Sequence, residues 1–228
     1  MITTPGAAAM IGRRIVVSAG PTFEDIDPVR FLGNRSSGKM GFAIAAAAAR
    51  RGADTVLVAG PVHLETPAGV RRIDVRSAAQ LRDAVLATLP ADAYIGAAAV
   101  ADWTPRAVSP SKLKKVAGVE TFTLELVRTP DTLAEVAAHA HRPRLVVGFA
   151  AETDEVARYA RDKLVRKRVD LVAANRVGIA GSGFESDDNA LVVHGHDFER
   201  ALGPASKAEL ADDLLDLMLE RMPMERLP

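Results

Sequence analysis

Short runs of β-branched residues alternate with helix-forming segments along the chain, and this alternation restricts the possible folds more than any other feature. Arg14–Ala19 is predicted as a first buried strand and Asp54–Ala59 as a second. Between them, residues 39–51 are rich in alanine and are closed by Gly52, which predicts a long helix. Strands that alternate with helices favour a parallel, doubly wound sheet.

The alternation continues towards the end of the chain. Further strands are predicted at residues 70–75, 92–100, 120–127, 144–150 and 170–174, with a short antiparallel strand at 190–194. Helix N-caps are predicted at Ser77, at Thr129 or Asp131, at Thr153 or Asp154, and at Ser206. The sequence thus predicts a Rossmann-like, doubly wound α/β fold, mainly parallel with a small antiparallel extension. We expect one domain over residues 13–228, preceded by a linker or tail at residues 1–12.

The composition excludes several classes of protein. Lys plus Arg and Asp plus Glu each total 29, so a net charge of zero gives no general attraction to nucleic acids or membranes. Because the 228 residues include no cysteine, there is no disulfide, thiol nucleophile or thiolate metal site. No apolar run approaches the roughly 20 residues of a membrane helix, and residues 1–12 do not resemble a signal peptide. We expect a cytoplasmic protein, and the lack of cysteine is compatible with a reducing cytoplasm.

One loop before the alanine-rich helix concentrates groups that bind anions. Its amide, hydroxyl, backbone and ammonium donors belong to Asn34, Ser36, Ser37, Gly38 and Lys39. They lie at a predicted helix N-terminus, where free N–H groups and the helix dipole favour negative charge. A single serine there more often caps the helix, but the whole cluster favours phosphate. The loop also has the G-x-x-x-x-G-K spacing of a P-loop, but Met40 replaces the magnesium-binding hydroxyl, so we treat that match as coincidental.

Small residues end the strand predicted at residues 92–100. Gly96, Ala97 and Ala98 allow either the close approach of a ligand or tight packing of a helix on the sheet. Asp102 follows at the carboxyl edge, where open α/β sheets bind ligands.

Two lysines on one predicted helix also have two interpretations. Lys163 and Lys167 lie four residues apart on the same side. Either their stems cover apolar surface, or their ammonium groups point together at a phosphate over the sheet edge. The five histidines form no convincing metal set by their spacing.

Seven separated segments together resemble one family. They are SAGPT at residues 18–22, DPVR at 27–30, NRSSGKMG at 34–41, AAAVAD at 97–102, KLKK at 112–115, GFAAET at 148–153 and SDDNAL at 186–191. In this order they are similar to phosphopantothenoylcysteine synthetase, and the resemblance covers the chain from Arg13 onward. Each segment alone is unspecific, whereas the joint pattern is highly specific.

The resemblance implies a ligase of coenzyme A biosynthesis that uses CTP and Mg²⁺ (or Mn²⁺). Such an enzyme converts the carboxylate of 4′-phosphopantothenate into an acyl-cytidylate with release of pyrophosphate. L-cysteine then displaces CMP to give 4′-phosphopantothenoylcysteine. The resemblance also implies a homodimer, and a flavin-dependent phosphopantothenoylcysteine decarboxylase fused to or associated with this domain in the full-length protein. We expect no nucleic-acid or membrane partner.

The resemblance further implies roles for individual residues. Lys112 is expected to act closest to the reacting phosphate, and Asn34 to hold the acyl-cytidylate for attack by cysteine. The rest of the predicted CTP site consists of Gly96, Ala97, Ala98, Asp102, Pro130, Asp131, Thr132, Leu133, Phe149, Lys163 and Lys167. The predicted phosphate or substrate site, along either the triphosphate or the substrate phosphate, consists of Asn34, Ser36, Ser37, Gly38 and Lys39. No residue is assigned to the metal.

Two positions depart from the family pattern, and two other classes of protein compete with this resemblance. Phe23 and Asp25 stand where many relatives have Arg and Pro. If that Arg contacts a phosphate in those relatives, this protein must use another cation, such as Arg30 or Arg35. A nicotinamide oxidoreductase would suit the same sheet, but no G-x-G-x-x-G follows the first strand. A scaffold domain would require neither the donor loop nor the small residues at the strand ends.

Overall fold

The computed structural model of the protein describes residues 9–222 except 116, 119, 153 and 177–187. Its strands are β1 (Arg14–Ala19), β2 (Phe23–Asp25), β3 (Phe31–Gly33), β4 (Asp54–Ala59), β5 (Val70–Asp74), β6 (Ala93–Gly96), β7 (Trp103–Pro105), β8 (Leu126–Arg128), β9 (Leu145–Glu152), β10 (Leu171–Arg176), β11 (Asp188–His194) and β12 (Glu199–Ser206). Its helices are α1 (Lys39–Arg50), α2 (Ala78–Leu86), α3 (Thr132–Ala138), α4 (Val156–Lys167) and α5 (Lys207–Arg221). Within these described residues, no helix has both the length and the apolar character needed to cross a membrane.

Eight of the strands form one sheet in the order β12-β11-β10-β9-β6-β1-β4-β5. The strands from β10 to β5 are parallel, whereas β11 and β12 pair antiparallel at one edge. This order confirms the predicted Rossmann-like, mainly parallel sheet with an antiparallel extension. Strand β2 pairs with β3, and β7 with β8, as separate two-stranded ribbons.

Two strands show where local patterns fail. The strand predicted at residues 120–127 is mostly wrong, because the strand in this region, β8, comprises only Leu126–Arg128. The sequence analysis did not predict β12, Glu199–Ser206, because its glycine and proline argue against a strand. An edge strand tolerates proline because one side of its backbone needs no partner within the sheet.

Most helix starts agree with the predicted caps. Three predicted N-caps are confirmed, and they are Ser77, Asp131 and Ser206. In each case the side chain accepts a hydrogen bond from a backbone N–H of the first turn of the helix. Helix α4 differs, because its N-cap is Glu155 rather than the predicted Asp154. The alternative cap, Thr153, lies outside the described residues.

Helices cover both faces of the sheet. Helices α1 and α5 pack on one face around residues such as Ile44 and Leu214. Helices α2, α3 and α4 pack on the other face around residues such as Leu81 and Val136. Met10 is fully buried in the layer of α1 and α5, so the packed domain includes residues that we assigned to the tail.

The packing of α1 determines where the donor loop lies. Gly41 is so close to β1 that a Cβ there would be 2.4 Å from the Cβ of Ala19. At the other end of the helix, buried Arg51 forms ion pairs with Asp212 and Asp216 of α5. These contacts hold the N-terminus of α1 at the carboxyl end of β1 and hold α5 beside it.

Candidate active site

A cleft of about 750 Å³ lies at the carboxyl ends of the central strands, and every predicted site residue except Lys112 lines it. We name its two walls after their helices. The α1 side consists of residues 34 and 36–41 together with Asn189 and Lys207. The α4 side consists of residues 128–133, 149, 163, 166 and 167. The cleft therefore straddles the sheet, with one wall on each face.

The α1 side presents the predicted donor loop. Helix α1 begins after Gly38, which is its N-cap and has a left-handed φ of 77°, a conformation that favours glycine. Because a glycine occupies the N-cap, the neighbouring serines are not the cap residues that the alternative interpretation required. The Ser36 Oγ accepts a hydrogen bond from the backbone N–H of Gly38 at 3.3 Å. Asn34 donates from Nδ2 to the carbonyl oxygen of Ala99 at 2.9 Å, so its amide is oriented beside the end of β6.

The α4 side carries the two predicted lysines. The Nζ of Lys163 donates to the carbonyl oxygen of Phe149, and the Nζ of Lys167 forms an ion pair with Asp131. Both side chains thus reach the cleft instead of only covering apolar surface. Burial lowers the pKa of Lys167, and the negative charge of Asp102 opposes this shift.

Small residues at the strand ends let α3 approach the sheet. Gly96 and Gly148 are register partners on β6 and β9, and Leu133 of α3 lies over both. A Cβ on Gly148 would be 2.7 Å from the Cδ2 of Leu133. Gly148 therefore serves tight packing, while Ala97 and Ala98 line the cleft itself.

Three hydroxyl groups lie at the base of the cleft. The Ser18 Oγ and the Tyr94 hydroxyl, neither of which the sequence analysis singled out, are 2.9 Å apart. Burial raises the pKa of Tyr94 to about 12, so its phenol stays neutral and keeps its proton for hydrogen bonding. Thr132 is also buried, and its Oγ1 finds no hydrogen-bond partner in the described part of the chain. An unpaired buried hydroxyl costs free energy.

Lys112 lies apart from the other predicted residues, on an exposed segment outside the cleft lining. Its neighbour Leu113 is anchored on both backbone groups. The N–H of Leu113 donates to Asp27 at 3.1 Å, and Arg30 donates to the carbonyl oxygen of Leu113 at 2.9 Å. The Arg30 guanidinium, hydrogen-bonded to Asp27, holds the pKa of that carboxyl below its usual range. Arg30 therefore supports the Lys112 segment and does not line the cleft as a replacement cation.

The cleft lining is strongly positive. Its cationic residues are Lys39, Arg128, Lys163, Arg166, Lys167 and Lys207, and the carboxylates among its described residues are Asp102 and Asp131. A wall of excess positive charge attracts anions such as phosphates. Besides Ser18 and Tyr94, the polar lining residues that were not predicted include Arg128, Arg166, Asn189 and Lys207. Asn189 lies in the SDDNAL segment, which suggested a family but no role.

Comparisons with known proteins agree on one family. The chain matches the family model described as the DNA/pantothenate metabolism flavoprotein C-terminal domain over residues 10–222. It is 49% identical over 214 residues to the coenzyme A biosynthesis bifunctional protein CoaBC of Vibrio cholerae serotype O1, covering 93% of this chain and 54% of the relative. It is 50% identical over 210 residues to the protein of the same name from Escherichia coli strain K12, covering 91% and 52%. The chain thus spans about half the length of the curated relatives it matches.

Solved structures support the same assignment. The crystal structure of the C-terminal domain of CoaBC superposes with a TM-score of 0.78 at 36% identity, covering 93% of this chain and 97% of that one. The DNA/pantothenate metabolism flavoprotein from Streptococcus pneumoniae shares the fold, with a TM-score of 0.77 at 21% identity and coverage of 92% and 99%. The chain therefore belongs to the DNA/pantothenate metabolism flavoprotein C-terminal domain family, which confirms the resemblance inferred from its motifs.

Proposed function

We propose that this domain is a phosphopantothenate–cysteine ligase that uses CTP in coenzyme A biosynthesis. The relatives that match nearly the whole chain carry the name of a coenzyme A biosynthesis protein, and the match to a solved C-terminal domain indicates which half corresponds. We further propose that it works in the cytoplasm and that a flavin-dependent decarboxylase is fused to it in the full-length protein.

One observation carries this proposal, namely a single cleft with cations on both walls. Lys163, Arg166 and Lys167 face it from the α4 side, and Lys39 and Lys207 from the α1 side. The first step of the ligase reaction brings together two phosphorylated substrates, a nucleoside triphosphate and 4′-phosphopantothenate. Each of the two positive walls can attract one of these anions, and the reacting groups of the two substrates would then meet between the walls.

The α4 side suits the nucleotide. Lys163 donates to a carbonyl oxygen and Lys167 pairs with a carboxylate. From these positions both side chains can turn towards a triphosphate without movement of the helix. We propose that backbone groups of residues 96–98, which line the cleft, contact the base edge and that Asp102 contacts the ribose. Reading a base through backbone groups discriminates well, because a wrong base leaves polar groups unpaired. We therefore propose a preference for CTP over ATP.

The chemistry takes place in two steps. A carboxylate oxygen of 4′-phosphopantothenate bonds to the α-phosphorus of CTP as the bond to pyrophosphate breaks. The amine of cysteine then attacks the acyl carbon, CMP leaves, and the amine loses a proton. Lysine side chains stabilise negative charge that builds in the first step. The amide of Asn34, oriented by Ala99, has donors for the acyl-cytidylate in the second step.

A divalent cation fits this site only if the nucleotide supplies part of its coordination. Among the described residues, no group of three histidine or carboxylate side chains is arranged to hold a metal ion. Mg²⁺ is commonly held by one or two carboxylates together with substrate phosphates. Asp131 pairs with Lys167 and Asp102 is proposed to contact the ribose, so the substrate phosphates would supply most of the coordination. When bound, the cation would neutralise phosphate charge.

The exposed position of Lys112 leads us to propose a homodimer. Its segment belongs to an excursion with exposed apolar side chains, including Val108, Phe122 and Leu126. A second subunit would cover this surface and bring the Lys112 segment near an active site. Activity that falls on dilution, in step with loss of the dimer by light scattering, is the expected result. A fully active monomer at nanomolar concentration would contradict it.

The proposed function is tested by measuring release of pyrophosphate. We expect release that requires both CTP and 4′-phosphopantothenate, and product that requires L-cysteine as well. Replacing CTP with ATP should lower kcat/KM. In single-turnover experiments, Asn34→Asp should still release some pyrophosphate but convert the acyl-cytidylate to product poorly. Absence of release with both substrates present would reject the function, and equal kcat/KM for ATP and CTP would reject the nucleotide preference.

A further inference from the structure

We propose that Lys207, at the start of α5, determines specificity by binding the phosphate of the acyl substrate together with Lys39. This inference rests on the proposed function and assigns a role to a residue far along the chain from the donor loop. It also chooses between the two placements left open for that loop, because it assigns the α1 side to the substrate phosphate.

The position of Lys207 supports this role. The residue is only 7% exposed, although lysine is seldom buried, and it lines the cleft. It is the first residue of α5, just as Lys39 is the first residue of α1. Because α1 and α5 pack side by side, the two helix starts bring the two lysines to the same wall.

The two faces of the sheet separate the two anions. Helices α3 and α4 belong to one hydrophobic layer and α1 and α5 to the other. If the triphosphate lies against α4, the reacting carboxylate must reach it near the sheet edge. In 4′-phosphopantothenate the carboxylate and the phosphate are at opposite ends of the molecule. Its phosphate then extends away from α4, towards Lys39 and Lys207.

A second cavity indicates where the phosphate stops. This groove of about 380 Å³ shares Lys39 and Lys207 with the cleft. Beyond these lysines its lining is mainly apolar, with Phe42 and Leu64, and it includes the carboxylate of Glu65. Neither apolar carbon nor a carboxylate favours a dianion. The phosphate is therefore best placed at the junction of the two cavities, beside the lysines.

The helix starts contribute differently at this junction. Helix α5 has a capping box in which Ser206 and Glu209 bond to each other's backbone N–H groups. Hydrogen bonds from Ser206 also lower the pKa of Glu209, so its carboxylate stays charged. The backbone N–H groups of Ser206 and Glu209 are thus bonded within this cap, and Lys207 is the residue of this helix start that lines both cavities. Helix α1 has a glycine N-cap, and its loop offers the hydroxyls of Ser36 and Ser37.

The test compares phosphorylated and unphosphorylated substrates. Lys207→Gln should raise KM for 4′-phosphopantothenate about 10- to 100-fold, the usual effect of losing a hydrogen bond to a charged group. KM for CTP should stay within about twofold. Turnover of pantothenate, which lacks the phosphate, should be unaffected by the substitution, so any preference for the phosphorylated acid should shrink. Lys207→Arg, which keeps the charge, should retain most of it.

A binding measurement keeps the inference independent of turnover. Calorimetric titration of 4′-phosphopantothenate into the wild type and Lys207→Gln should show the same loss of affinity, with thermal unfolding used to confirm that both are folded. Equal binding by the two proteins would overturn the inference even if the enzyme is active. So would a rise in KM for CTP alone, or equal losses with both acids. If the wild type binds the substrate but releases no pyrophosphate, the proposed function fails while the binding data still decide the role of Lys207.

Discussion

The two walls of the cleft present positive charge in different ways. On the α4 side, Lys163 and Lys167 project from the middle and end of a helix and rest on a carbonyl and a carboxylate. On the α1 side, Lys39 and Lys207 are the first residues of their helices, next to serine hydroxyls. All four residues are lysines with side chains of equal length, so the walls differ in the groups beside them, and on the α1 side the hydroxyls of Ser36 and Ser37 before the helix start add shorter donors. The difference suits a reacting triphosphate on one wall and an unchanging phosphate on the other.

The largest expected effect tests a lysine that belongs to neither wall. Lys112→Gln should lower the rate of acyl-cytidylate formation by about 10²- to 10³-fold, as loss of a transition-state charge partner commonly does. Single-turnover quenching with labelled CTP measures it. Lys115→Gln, an exposed lysine of the same segment, is the matched control and should be nearly silent. If Lys112→Gln instead accumulates the acyl-cytidylate, its role is in the second step.

The next largest effect tests whether the α4 side binds the nucleotide and not 4′-phosphopantothenate. Lys163→Gln should raise KM for CTP roughly 10- to 100-fold, because a charged hydrogen bond to the nucleotide is lost. KM for 4′-phosphopantothenate should change little. Arg161→Gln is the control on the same helix, since Arg161 is exposed and pairs with Glu199 outside the cleft lining. Equal increases in both KM values would contradict the proposal that the cleft contains two separate anion sites.

A smaller effect concerns pH. Because burial lowers the pKa of Lys167, this lysine loses its charge at a lower pH than an ordinary lysine. Its attraction for the triphosphate is present below that pKa and is lost as pH rises through it. KM for CTP should therefore rise several-fold on the alkaline side. Lys167→Arg should flatten this rise because arginine stays protonated, and an unchanged profile would count against a role for Lys167.

The smallest effect concerns stability at the base of the α4 side. Thr132→Val should raise the free energy of unfolding by about 1 kcal/mol, because it removes a buried hydroxyl without a partner among the described residues. Thr88→Val is the matched control. Its buried hydroxyl donates to the carbonyl oxygen of Val85 at 2.6 Å, so its loss should lower stability by about 1 kcal/mol. Chemical denaturation of both variants measures the difference, and destabilisation by Thr132→Val would show that this hydroxyl is satisfied in solution.

Much of the fold was determined by local pattern. Arg14–Ala19 and Asp54–Ala59 were predicted with the bounds that the structure shows. Buried parallel strands are continuous apolar runs, and capping side chains mark helix starts, so both are encoded within a few neighbouring residues. The strand at Glu199–Ser206 was not predicted because its pairing with β11, and not its own composition, makes it a strand.

The candidate site divides in the same way. A motif predicted Asn34 and Lys39 as site residues, and the helical spacing from Lys167 together with the family resemblance predicted Lys163; all three line the cleft. The sequence around Lys207 resembles that of any lysine in a helix-capping segment, so it does not predict a site residue. The sequence around Lys112 likewise does not predict that this lysine lies outside the cleft lining. Only the packing of α5 against α1 brings Lys207 beside Lys39, and only the anchoring of Leu113 by Asp27 and Arg30 holds Lys112 away. Neighbouring residues determine local geometry, whereas long-range packing determines which charged side chains lie on the same wall of the cleft.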